Sequence, residues 1–402
     1  MKFRLGLLGA GRRGKAHLSA IAGLSDLFEL VAICDLNEAN VRPPADRFRA
    51  KAYADVKEFF SREKLDVVDI VTPAESHHLM AMAAAQYGVN MAIETPLAPT
   101  RAMMDFIGEA AAKAGVLVEV AENYRRKPEI RLNRKALEAG LIGKPLRLTS
   151  FYEPIGQQGC YHSMATFRLY AGAEVDHVRG LAFRSPVERS VGYGTTYDEE
   201  SRTQASLFFT NGIIGSCTYL SSWLSPLRRG HPHFLTIEGS SGFAVSGRNL
   251  TNALHRLENG AQVVYPLKVD TREDGNRKIP TRYYYETDPP VEYRNPFADR
   301  PLNYGEDASD IIAIADALAS IHRSVTAKSA AEYGIAEARH DQELSIAISQ
   351  SASLDGQPVS LPLRVETDWE RAQHQKFRAQ WGGDAFKDAE QLIARNFSGG
   401  AR

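Results

Sequence analysis

Short apolar runs and longer amphipathic stretches alternate from residue 3 to about residue 120. Residues 3–8, 29–34, 67–71, 90–93 and 116–120 are compact apolar segments that predict strands. Residues 15–23, 37–48, 76–87 and 100–114 lie between them and carry helical spacing. Strands that alternate with helices predict a parallel sheet with right-handed crossovers. Residues 121–134 read as a hinge with a helix after Pro128, because proline suits a first helical turn and restricts the residue before it.

Beyond Gly143-Lys144-Pro145 the pattern changes. Residues 146–152, 201–209, 213–219 and 234–238 are rich in threonine and aromatic residues and predict a mostly antiparallel sheet. Helices are expected over 162–170, 307–320 and 336–351, which makes this region α+β. Residues 366–402 are polar overall, carry Trp369 and Trp381, and read as a semi-ordered tail that packs on a partner subunit. The expected division is therefore 1–124, 125–365 and 366–402: a dinucleotide-type α/β domain, an α+β domain with an open sheet, and a tail.

Length and composition agree with two domains. A chain of 402 residues exceeds one ordinary core, and 44% hydrophobic with 24% charged residues is a globular balance. Lys plus Arg (48) nearly equal Asp plus Glu (49), so the net charge of -1 gives no field to attract nucleic acid or an anionic membrane. Cys34, Cys160 and Cys217 are widely spaced and read as reduced thiols, with no metal motif. His231-Pro232-His233 has no acid or cysteine at ligand spacing, so no metal site is expected. The start of the chain lacks a signal peptide's apolar core, and no apolar stretch is long enough to span a membrane, which points to the cytoplasm.

Gly9-Ala10-Gly11-Arg12-Arg13-Gly14 follows a strand and opens a helix, the context in which a glycine pattern signals a dinucleotide. Gly9 permits the turn, Gly11 lets backbone approach a pyrophosphate, and Gly14 lets helix pack on strand; Arg12 and Arg13 add charge. Asp35 follows 21 positions after Gly14, near the roughly 20 expected for an acid that binds ribose. A carboxylate there repels a 2′-phosphate, favouring NAD over NADP. It also suits capping of the next helix, and the two roles coexist.

These stretches resemble the glucose-fructose oxidoreductase, inositol dehydrogenase and rhizopine-catabolism family, Gfo/Idh/MocA. The glycine loop, Asp35, Val68-Asp69-Ile70-Val71-Thr72-Pro73 with His77, Ile93-Glu94-Thr95-Pro96-Leu97, Ala121-Glu122-Asn123-Tyr124-Arg125 and Gly140 to Pro145 fall in the family's order. The resemblance spans about residues 1 to 365 and is looser after 150. It implies an NAD(P)-linked reaction on a carbohydrate or cyclitol and a homo-oligomer, dimer or tetramer, formed through the open sheet. It also implies that Thr72, Pro73, His77, Glu94 and Asn123 line the cofactor. His77, at a helix start, suits loop ordering better than chemistry, and Glu94 is expected to bond the nicotinamide ribose or order its loop.

Two positions depart from the family. Its Glu-Lys-Pro lysine, beside the nicotinamide, is Thr95 here, and its Asp-x-Gly-x-His segment reads Gln158-Gly159-Cys160-Tyr161-His162. Threonine cannot accept a proton near neutral pH, although its hydroxyl can orient a ligand. His162 becomes the candidate acid or base, with Tyr161 beside it, and Tyr124, Arg125 and Gln158 as substrate contacts. The run Arg125-Arg126-Lys127 holds an acidic substrate group, replaces the lost lysine, with Lys127 the candidate, or is a solvated turn. Tyr283-Tyr284-Tyr285 reads as strand or subunit contact. Three functions remain open: an NAD-dependent oxidoreductase on a CHOH group of a sugar, sugar derivative or cyclitol; a redox-neutral NAD-dependent glycosidase or lyase working by oxidation, elimination and reduction; and a non-catalytic nucleotide-binding protein.

Overall fold

The computed structural model describes residues 1–398 apart from 155–159, 193–194, 222–224, 229, 276 and 306. The chain forms two compact units, each made of separated stretches. Met1–Arg126, Asp299–His340 and Glu370–Arg402 make the first; Lys127–Ala298 and Asp341–Trp369 make the second. Three consecutive segments were expected from the sequence. Instead, the region after 299, grouped above with the α+β domain, and most of the tail belong to the first unit.

In the first unit β1 (Phe3–Leu8), β2 (Phe28–Cys34), β3 (Lys51–Tyr53), β4 (Val67–Ile70), β5 (Asn90–Ile93) and β6 (Val118–Val120) form a parallel sheet ordered β3-β2-β1-β4-β5-β6. Helices α1 (Arg12–Ile21), α2 (Glu38–Phe48), α3 (Val56–Arg62), α4 (His77–Gln86) and α5 (Arg101–Ala114) connect the strands. Leu5, Leu7, Ile33, Val67, Ile70, Ile93 and Val120 are fully buried, as a sheet covered on both faces requires. Side-chain caps start the helices where polar residues follow strands: Asn37 accepts from the Ala39 amide at 3.1 Å and Asp55 from the Glu58 amide at 2.9 Å. Strand β3 and helix α3 were not expected; three residues at a sheet edge and a seven-residue helix carry too little periodicity to read.

The second unit contains α6 (Pro128–Glu138), β7 (Pro145–Pro154), α7 (Tyr161–Ala171), β8 (Val175–Gly192), β9 (Thr195–Phe209), β10 (Ile214–Leu220), β11 (His233–Gly239), β12 (Gly242–Arg248), β13 (Ala253–Glu258) and β14 (Ala261–Pro266). A small sheet of β15 (Lys268–Asp274), β16 (Arg277–Tyr285) and β17 (Val291–Arg294) follows. The large sheet runs β14-β13-β12-β11-β7-β10-β9-β8, with β18 (Val359–Ser360) at its edge. Among the described residues of this sheet only β7 and β10 pair in parallel, so it is mostly antiparallel, as its sequence pattern suggested. Helix α7 covers one face: a Cβ on Gly215 of β10 would lie 2.9 Å from the Phe167 ring. The tyrosine run 283–285 lies in β16, where the Tyr285 hydroxyl donates to Asn133 at 2.7 Å.

Helix α8 (Ala308–Ala327) packs on α1, β5 and β6. Helix α9 (Ile335–Ser353) passes from the first unit into the second, and α10 (Asp368–Trp381) and α11 (Ala389–Asn396) follow. The tail is therefore helical and folds on its own chain. Trp381 stacks on Phe397 at 5.2 Å and Phe377 packs on His78 of α4 at 5.2 Å. The buried Glu370 receives Arg101 of α5 through Nε at 3.0 Å and Nη2 at 2.6 Å. Its polar composition hid these anchors. Among the described residues no helix is long and apolar enough to cross a membrane. Cys34, Cys160 and Cys217 are buried free thiols.

Candidate functional site

The loop between β1 and α1 lies at the C-terminal ends of the strands, where β1 separates β2 on one side from β4 on the other. Such a switch point opens a crevice for ligand. Gly9 has φ of 98°, and a Cβ there would meet the Val71 carbonyl oxygen at 2.6 Å. At Gly14 a Cβ would meet the Gly9 carbonyl oxygen at 2.2 Å, so helix and loop touch through glycine alone. Gly11 differs: nothing lies within 4 Å of its Cβ position. Two glycines are thus required by packing, while the third leaves open backbone at a helix N-terminus, which fits a pyrophosphate. Asp35 Oδ2 accepts the Ala10 amide at 2.8 Å and Oδ1 accepts the Asn37 amide at 2.9 Å. It ties loop to helix, while Asn37 caps α2.

The next strand ends are held by buried polar groups. His77 faces the Thr72 carbonyl with Nε2 at 2.7 Å and the Pro96 and Leu97 carbonyls with Nδ1 at 3.1 and 3.2 Å. It joins the loop after β4 to the loop after β5, and burial lowers its pKa. Thr72 is half-buried and Pro73 exposed beside it. Glu94 Oε2 accepts the Thr95 amide at 2.6 Å and the Thr95 hydroxyl at 3.2 Å. Its Oε1 accepts Arg13 Nε and faces His17 Nε2 at 3.0 Å. Both oxygens of Glu94 are therefore engaged by protein groups of its own loop and of α1.

Arg13 is correspondingly not turned to an anion. Its Nη1 donates to Asp310 of α8 at 2.6 Å, and Asp310 also accepts from Asn123. Burial disfavours the Arg13 charge, but Glu94 and Asp310 outweigh it and hold the proton more firmly. The charge the sequence offered to a pyrophosphate is here matched by two carboxylates. Arg12 remains exposed at the start of α1. His17, one turn further on, also faces Asp69 of β4 through Nδ1 at 2.7 Å. Burial opposes its charge as well, yet Asp69 and Glu94 raise its pKa to about 9. Burial likewise works against ionisation of Glu94, and Arg13 and His17 override it to hold that carboxyl well below the usual range.

The cationic run is not a solvated turn. Arg125 lies over the Tyr333 ring at 4.7 Å, and fully buried Arg126 donates to Glu119 at 2.6 Å and Asp316 at 2.8 Å. Tyr124 is half-buried, its amide held by Glu122 Oε1 at 2.8 Å. In the second unit Lys127 is buried and precedes α6 as its N-cap residue. Tyr161 and His162 form the first turn of α7, Tyr161 buried and His162 half-buried, with ring centroids 6.0 Å apart. Gln158 lies outside the described residues.

Residues 3–122 match the model of the GFO_IDH_MocA oxidoreductase family, described as an NAD-binding Rossmann fold. This stretch is a Gfo/Idh/MocA Rossmann domain. The chain is 37% identical over 145 residues to D-apiose dehydrogenase of Paraburkholderia graminis, covering 36% of this chain and 38% of that one. Levoglucosan dehydrogenase of Pseudarthrobacter phenanthrenivorans is 33% identical over 156 residues, covering 37% and 40%. The match thus spans about two fifths of these relatives' own length. A solved levoglucosan dehydrogenase in complex with NADH and levoglucosan superposes over 90% of this chain and 100% of its own, with a TM-score of 0.67 at 21% identity, a likeness of fold.

Within this Gfo/Idh/MocA domain, sequence reasoning missed His17, Asp69 and Asp310. The signal for His17 was present: Gly14, His17, Leu18 and Ile21 share the buried stripe of α1, where a histidine needs partners. Asp69 stood in an apolar strand run and was open to the same reasoning. Asp310 was not, since its partner Arg13 lies 297 positions away.

Proposed function

We propose that the protein is an NAD-dependent oxidoreductase acting on a CHOH group of a sugar, sugar derivative or cyclitol. The observation that carries this is the glycine loop, closed by packing at Gly9 and Gly14, open at Gly11 and clamped to Asp35. Asp35, a carboxylate at the end of β2, favours NAD over NADP. The dehydrogenase names of the relatives support a carbohydrate or cyclitol substrate.

The reaction removes a hydride from the substrate carbon and a proton from its hydroxyl, leaving a carbonyl. NAD⁺ supplies the hydride acceptor. Backbone at Gly11 and the start of α1 would hold the pyrophosphate, Asp35 the ribose, and Thr72, Pro73 and Thr95 would border the nicotinamide half. His162 is assigned the hydroxyl proton, with Tyr161 or Lys127 as supporting groups. Tyr124 and Arg125 are assigned to substrate, and the second unit's sheet to a homodimer or homotetramer contact.

The test is to incubate purified protein with NAD⁺ and a panel of sugars, cyclitols and chromogenic glycosides, following NADH absorbance and aglycone release. Accumulating NADH, reduced roughly 100-fold or more in His162→Ala, supports the proposal. Aglycone release without net NADH replaces it with the redox-neutral glycosidase, and nucleotide binding without turnover replaces it with the binding protein.

A further inference from the structure

We infer that His17 is a positioning residue for the bound dinucleotide: through Glu94 it fixes the Thr95 hydroxyl proton, leaving the Thr95 oxygen as a hydrogen-bond acceptor for the nicotinamide carboxamide. The inference rests on the NAD-binding reading above.

The argument starts from the ring. His17 is fully buried, with Nδ1 at 2.7 Å from Asp69 Oδ2 and Nε2 at 3.0 Å from Glu94 Oε1. An ionised carboxylate only accepts, whereas a neutral imidazole has a single N–H. Both ring nitrogens therefore donate, and the ring is an imidazolium. The charged groups at this ring and its partners are Asp69 from β4, Glu94 after β5 and Arg13 from α1 itself. Asp69 Oδ1 has no hydrogen-bond partner among the described residues, which leaves His17 as the group that balances Asp69.

Glu94 is thereby fully used. Its Oε1 takes Arg13 and His17, and its Oε2 takes the amide and hydroxyl of Thr95. A carboxylate offers about four lone-pair sites, so it cannot turn without losing a bond. The Thr95 hydroxyl has one proton, and that proton points to Glu94. Its oxygen remains to accept. A cationic side chain here would present donors only, whereas Thr95 presents an acceptor at the end of β5. The carboxamide N–H matches that acceptor, and Arg13 ties this strand end directly to the glycine loop.

The experiment measures NADH affinity by fluorescence titration for wild type, His17→Gln, Thr95→Val, Thr95→Ser and the double variant His17→Gln/Thr95→Val. Each of His17→Gln and Thr95→Val is expected to weaken NADH by about tenfold, the double variant no further, and Thr95→Ser to retain affinity. The wild type should also discriminate against reduced 3-acetylpyridine adenine dinucleotide, which lacks the amide donor, and Thr95→Val should not. Multiplying losses in the double variant, or equal discrimination by wild type and Thr95→Val, overturns the inference. Nitrogen-15 NMR of the wild type supplies an independent readout: both His17 ring nitrogens protonated at neutral pH support it, and a neutral ring overturns it. Where His17→Gln does not fold, Asp69→Asn takes its place in the cycle. A wild type that binds no NADH overturns the NAD reading and this inference with it, whereas NADH binding with an additive cycle overturns this inference alone.

Discussion

A Cβ on Gly14 would stand 2.2 Å from the Gly9 carbonyl oxygen, while one on Gly11 would meet nothing within 4 Å. The two glycines therefore fail differently when substituted. Gly14→Ala must push α1 from its loop and should cost about 1–3 kcal/mol of stability together with NADH binding. Gly11→Ala should leave stability within about 0.5 kcal/mol and still weaken NADH. Thermal melting and NADH titration on both variants check this; equal melting losses would contradict it.

The buried imidazolium makes stability fall in alkali. His17 has its pKa raised from 6.5 to about 9, so its contribution is complete below the unfolded value and is lost as pH rises through the folded one. The loss is on the order of 3 kcal/mol. Glu94 works in the opposite direction: its lowered pKa contributes above the ordinary carboxylate range and is lost on acidification. Urea unfolding across neutral to alkaline pH should show a decline in wild type that is absent in His17→Gln. Parallel profiles would rule it out.

Helix α10 is held to α5 by Arg101 and Glu370, both buried. Glu370→Ala should cost about 3 kcal/mol or more, because it strands the guanidinium without its partner. Replacing the pair together by Met and Leu should recover much of that loss. Denaturant midpoints decide the matter, and a Glu370→Ala variant as stable as wild type would show that the tail is not anchored this way.

Asp35 holds the glycine loop in shape, and the proposed function also gives it the coenzyme choice. Asp35→Asn removes the charge opposed to a 2′-phosphate and retains an oxygen for the Ala10 amide, which it now accepts at 2.8 Å. The ratio of NADPH to NADH affinity should rise by roughly tenfold, equivalent to about 1.4 kcal/mol. Parallel titrations with the two coenzymes test it; an unchanged ratio would assign Asp35 to the loop alone.

Much of the first unit was legible because its information is local. Strand runs and helical stripes place β1, β2, β4, β5 and β6 and helices α1, α2, α4 and α5, and Gly9, Gly14 and Asp35 meet in one loop as their spacing suggested. The hinge helix after Pro128 and the helix bearing His162 were visible for the same reason. Less was legible in the second unit, where β8 and β12 to β17 are largely exposed or irregular in burial and so lack clean alternation.

The sequence by itself determined the dinucleotide fold and the glycine geometry, because each follows from backbone sterics or residue identity within a short window. Tertiary structure alone decided what the charges do. Arg13 and Arg126 look like surface cations in sequence, yet half-buried Arg13 and fully buried Arg126 are each paired with carboxylates brought from distant segments, Asp310 to one and Asp316 to the other. His17 becomes a cation only because β4 and β5 set Asp69 and Glu94 on either side of it. Protonation state and pairing depend on distances across the fold, and chain spacing does not encode them.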